Sequence, residues 1–214
     1  MGEDRQVWDE LLAVGFLHAL RDAHRDATLA VFNGLSRAAG FTDRSYGFSA
    51  FDVLATHIDR VFENEPQVVR DNLNQSPGWR YGRYRILLKR HEFGNVRQIR
   101  WDRDSPTKQA VAQQGYRDDP QLVLPLTGLE QHDTPGDVTL VLAHSATEDP
   151  LEMELFLGRP RWNADRGTAW HWVKQLDDTI GPDPRRKLVE RTMPLWDDGQ
   201  EDVPMRLREV RKTA

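Results

Sequence analysis

The sequence predicts an α+β fold: an antiparallel sheet of about five strands, with an N-terminal two-helix layer and C-terminal covering helices. Three observations predict it. Apolar residues recur at helical spacing through the first third of the chain, the repeat then changes to the two-residue alternation of strands, and most strands are joined by short polar turns. Turns of that length make hairpins, and hairpins build antiparallel sheets. A chain of 214 residues is expected to form a single domain. Within it, 1–66 is the helical layer, 79–158 the sheet region and 168–214 the C-terminal helices.

From Asp4 to about Ala39, Val7, Leu11, Leu12, Phe16, Leu20, Ala23, Ala27, Val31 and Leu35 trace one apolar stripe, so this stretch is one long helix or two abutting ones. Gly15 lowers helical propensity by about 1 kcal/mol relative to alanine, and Gly34 and Gly40 are possible ends. A second helix is placed from Ser49 to about Asn64, with Ser49 as cap and Phe48 and Val53 as a hydrophobic staple, closed by Pro66. Residues 67–78 read as a connection. Tyr84 to His91 and Val96 to Trp101 are β-rich runs separated by Phe93-Gly94-Asn95, a hairpin signal. Ser105-Pro106 starts a short helix to Gln114, and Leu122 to Leu126 is a short edge strand. Val138–Ala143 and Leu151–Leu157 form the clearest hairpin, the second strand alternating Leu151, Met153, Leu155, Leu157 against Glu152, Glu154, Phe156. Thr168 is read as the cap of a helix carrying Trp170, Val173 and Leu176. Short helices are placed at 185–192 and near the C-terminus, where Val203, Leu207 and Val210 share a face.

Composition excludes several classes of function. With no cysteine there is no disulfide, no thiolate-held zinc and no cysteine nucleophile. The mean hydropathy of −0.69 and the lack of any apolar run near the roughly 20 residues of a membrane span argue against a transmembrane protein. The start, Met-Gly-Glu-Asp-Arg, has no apolar secretory core, and Gln6 stands where a myristoylation signal has serine or threonine. A cytoplasmic protein is the expectation. The phosphate-loop, dinucleotide, nucleophile-elbow and His-Glu-x-x-His strings are all absent, and no cofactor is implied.

Charge is more informative. Between Trp79 and Lys108 nine basic residues stand against three acidic ones, a local +6 in a chain of −5, which leaves −11 elsewhere. Arginine interleaved with aromatics on a ribbon is the composition that holds phosphates and stacks bases. Arg83, Arg85, Lys89, Arg97 and Arg100, with Tyr84 and Trp101, are therefore the candidate polyanion-binding set. The same composition also serves to blunt a sheet edge or to pair with acidic residues of the chain itself.

A second constellation is His144 with Glu152 and Glu154. Were the hairpin loop to bring residue 144 opposite residue 152, imidazole and carboxylate would be about 5 Å apart at Cβ and could share a proton or help hold a divalent cation. His18, Asp22, His24 and Asp26 have helical spacing but read as surface charge pairs, and His57 reads as a packing histidine. Ser145 next to His144 on a strand points to the opposite face, which disfavours a nucleophile and base pair.

The functional expectation is a binding or regulatory module, non-enzymatic, recognising a protein or a polyanion such as nucleic acid through the basic ribbon. The alternatives are a metal-dependent hydrolase built on His144, Glu152 and Glu154, and a small-molecule sensor with a pocket between sheet and helices.

Overall fold

A computed structural model describes residues 2–114 and 137–181, all within a compact unit that ends at Asp183. The α+β class holds, with four α-helices and a mixed sheet of six strands among the described residues. The helices are α1 (Glu3–Ala13), α2 (Phe16–Gly34), α3 (Asp43–Phe62) and α4 (Pro106–Gln113). The strands are β1 (Val68–Arg70), β2 (Gly78–Tyr81), β3 (Tyr84–Arg90), β4 (Val138–Thr147), β5 (Glu152–Pro160) and β6 (Trp170–Gln175), and they lie in sequence order across the sheet. None of these helices is long and apolar enough to cross a membrane.

The N-terminal stripe is two helices. Gly15 takes φ +72°, a left-handed conformation open to glycine at little cost, and its N–H bonds back to Leu12 O, which ends α1. Along α2, Phe16, Leu20, Ala23, Ala27 and Val31 are buried at steps of three and four residues, the face its sequence predicts. Helix α3 begins at Asp43, six residues before the expected Ser49, so Phe48 lies within the helix and is exposed instead of stapling it.

All neighbouring strands are antiparallel except β3 and β4, which run parallel with Tyr84 opposite Val138 and Arg90 opposite His144. A parallel pair cannot close through a tight turn, and the chain between β3 and β4 includes α4. The hairpin partner of β3 is β2, through Gly82 at φ +55°, not the run at 96–101. That run forms two turns of 3-10 helix, because Trp101 is drawn fully inside and held there. Its Nε1 donates to Ala169 O at 2.6 Å, and its ring packs edge-on against Trp170 at 5.1 Å. Asn163 locks the same segment, donating to Ile99 O and accepting from Trp101 N–H at 2.9 and 3.0 Å. The predicted helix at 168 is β6, paired with β5. Helix α4 starts where expected, capped by the Ser105 hydroxyl. The strand expected at 122–126 and the helices expected beyond 184 lie outside the described residues.

Side chains of α1, α2 and α3 share one buried cluster with Ile86, Leu88, Leu140, Leu142, Leu155 and Leu157 of the sheet. On the alternate strand positions, Leu87, Val141 and Ala143 pack with Val111, Ala112, Trp101 and Trp170 in a second cluster. The two-residue period thus sorts β3 and β4 into two apolar faces, the pattern of strands covered on both sides.

Candidate functional site

The expected polyanion set does not form one exposed surface. Arg85 is 1% exposed and donates to Asp71 at 2.9 Å. Arg80 bridges Asp71 and Asp137, and Lys89 pairs with Asp104. Arg100 holds Asp102 with two hydrogen bonds at 2.8 and 2.7 Å. Arg83 donates to the Tyr84 hydroxyl and lies near Glu10, to which that hydroxyl donates in turn. Tyr84 and Trp101 are buried. Of the set, Arg97 alone is an exposed side chain outside these networks.

His144 and the two glutamates do not converge. The β4–β5 register sets His144 opposite Leu155, while Glu154 faces Ser145 and Glu152 faces Thr147. Strand alternation therefore puts the imidazole on the side of Leu140 and Leu142 and both carboxylates on the other. Glu154 instead accepts from Gly94 N–H at 2.9 Å and lies 3.9 Å from Nδ1 of His91. Among the described residues no three His, Asp or Glu side chains are grouped to hold a metal ion.

What the fold does build is a cavity of about 670 Å³ between α2, α3 and the carboxyl ends of β3 and β4. Parallel neighbours point their carboxyl ends the same way, so the chain leaving each strand diverges there and opens a crevice. One wall is α2, with His24, Ala27, Thr28, Val31 and Phe32; α3 supplies Tyr46, Ala50 and Leu54. The floor is Arg90 from the end of β3 and residues 144–147 from the end of β4.

Two buried histidines meet at this floor, His24 and His144, with ring centroids 6.0 Å apart and edge to face. Burial pushes His24 down to about 4. His144 is held well below the usual imidazole range, by burial first and then by the neighbouring His24 and His91. Both rings are neutral at pH 7. The Nε2 of His144 is buried and has no hydrogen-bond partner among the described residues.

Arg90 reaches across this end of the cavity to α3. A Cβ on Gly47 would fall 2.2 Å from its Nη1, so the guanidinium lies where any larger residue 47 would put its side chain. A glycine inside a helix costs about 1 kcal/mol relative to alanine; here it makes room for a cation. No carboxylate pairs with Arg90 among the described residues. At the rim Arg37 donates to Glu148 at 2.7 Å and to Asp43 at 2.8 Å, with its guanidinium 4.9 Å from the centre of the Tyr46 ring. This joins the α2–α3 connection to the β4–β5 turn.

In the sequence Arg90 is one member of the basic run, and His24 stands among charged neighbours that point to a surface position. The available signals were Gly47 within an apolar helical stripe, and His24 lying in register with Leu20, Ala27 and Val31 on the buried face of α2. Set against family models, curated proteins and solved structures, the chain finds no match in any of the three.

Proposed function

We propose that this protein is a small-molecule binding domain, a sensor whose ligand occupies the cavity between α2, α3 and the carboxyl ends of β3 and β4. The observation that carries this reading is Arg90. A guanidinium without a carboxylate partner among the described residues, given space by a helix glycine, lines a cavity of the size that holds small ligands. A glycine kept inside a helix beside an arginine departs from helix propensity, and such departures concentrate where a protein binds something. The basic ribbon has less to recommend it, because Arg80, Arg85, Lys89 and Arg100 are already engaged by carboxylates of the chain.

The test is mass spectrometry of the full chain purified under native conditions, alongside Ala50→Trp, which fills the cavity from α3. Wild type should carry a small molecule, or gain several degrees in Tm from a member of a metabolite library, and the variant should do neither while keeping its far-UV spectrum. A wild type that neither carries nor responds to any compound, and behaves as the blocked variant does, would sink the reading.

A further inference from the structure

We infer that the ligand of this cavity is a singly charged organic acid, its carboxylate held by Arg90 and its apolar body lying against Val31, Phe32, Tyr46 and Leu54. This rests on the ligand-site reading above and names the chemistry that the site selects.

The guanidinium is a planar fork whose paired N–H groups match the two oxygens of a carboxylate, and it stays charged at any physiological pH. Arg90, exposed at the end of β3, lines the cavity with its guanidinium against Gly47 of α3. The contact restricts the guanidinium before a ligand arrives, so less rotamer entropy remains to be lost on binding. The second cation of the lining, Arg37, is taken up by Asp43 and Glu148.

Charge bookkeeping of the lining decides between carboxylate and phosphate. Arg37 and Arg90 stand against Asp43, Glu148 and Asp149, a formal −1, and the two histidines add no charge at neutral pH. A dianionic phosphate monoester would meet repulsion from the rim that one guanidinium does not offset, whereas a monoanion needs only that one partner. Part of the cavity wall is suited to hydrocarbon, beside the polar Thr28, Ser145, Thr147 and the two histidines. Val31, Phe32, Leu54 and the ring of Tyr46 form that part, the Tyr46 hydroxyl being turned away to donate to Leu35 O at 2.7 Å. A body of eight to ten heavy atoms is well within about 670 Å³.

The experiment titrates the full chain with octanoate, 1-octanol and octyl phosphate, following Tm and heat of binding. Octanoate should bind, and the alcohol and the phosphate should each bind at least ~10-fold more weakly. Arg90→Met should lower octanoate affinity by a further ~10-fold or more and leave the alcohol unchanged. Gly47→Ala gives the same answer without touching the arginine. Its Cβ displaces the end of a flexible side chain, not backbone, so the helix keeps or gains stability while the octanoate preference falls. Alcohol binding as tight as octanoate, a preference for the phosphate, or an undiminished octanoate preference in both variants would each overturn the acid assignment while leaving the cavity as a binding site. So would a co-purified ligand with no acid group. If none of the three probes binds and Ala50→Trp also behaves as wild type, both readings fall together.

Discussion

An imidazole buried in its neutral form ties stability to pH, and His24 and His144 are both buried in that form. In the unfolded chain a histidine takes up a proton near pH 6.5, whereas folded His24 resists until about 4. Between those values the unfolded state binds more protons, so stability is complete above the upper value and is lost as pH falls through the window. For His24 the loss by pH 4 is of order 3 kcal/mol. His91 and His171 are shifted down as well, chiefly by burial, and add to the same slope. Urea midpoints at pH 7.5, 6, 5 and 4.5 should fall steadily below about 6.5, and His24→Gln should flatten the decline; a midpoint constant down to pH 4.5 would contradict this. In the sequence the acidic neighbours of His24 point to a surface residue, and only its register with Leu20, Ala27 and Val31 points the other way. Burial comes from the cluster that α2 joins, and that is a tertiary fact.

At the level of elements, the breaks between helices and the locks on irregular segments are the informative places. Gly15→Ala asks a residue with a Cβ to adopt φ +72° and should cost about 1–2 kcal/mol in a denaturation experiment, despite alanine's better helix propensity. Asn163→Leu keeps the volume but leaves Ile99 O and Trp101 N–H buried without their side-chain partner. A loss of about 2–4 kcal/mol is expected, with a changed Trp fluorescence reporting the release of Trp101. A loss below 0.5 kcal/mol would show that the 3-10 segment does not depend on this lock. Sequence and structure agree on several elements for identifiable reasons: the β4–β5 hairpin alternates cleanly, Ser105-Pro106 is a strong helix start, and Gly15 interrupts a continuous stripe. They part at β6, where Trp170, Val173 and Leu176 fit a helical spacing as well as a strand over so few residues. Pairing with β5 makes it a strand. They part again at Trp101, whose run has β-forming residues but whose indole is fully buried beside Trp170 and Ala169.

For the molecule as a whole, the junction of β3 and β4 organises both the core and the cavity. These strands are buried over most of their length, and β4 and β5 are the longest of the sheet. Opening them requires exposing both apolar clusters. Native-state hydrogen exchange should therefore be slowest in β3, β4 and β5 and fastest at the short outer strand β1. Equal protection across all six strands would mean that the two clusters do not govern unfolding. Ligand binding at the carboxyl ends of β3 and β4 should slow exchange there and at the start of α3 more than at β1.

The order of periodicities, helical and then two-residue, settled the α+β class, the long amphipathic stripe broken at Gly15 and the β4–β5 hairpin, because these depend on spacing within a few residues of chain. Tertiary structure alone decided that β3 lies parallel to β4, that Arg85 and Lys89 are engaged by Asp71 and Asp104, and that Arg90, with Gly47 beside it, His24 and His144 gather at one cavity. The physical reason is distance along the chain. Arg90, Gly47, His24 and His144 lie more than 20 positions from one another, so no local preference relates them, and only the burial of apolar surface on both faces of the sheet brings them together.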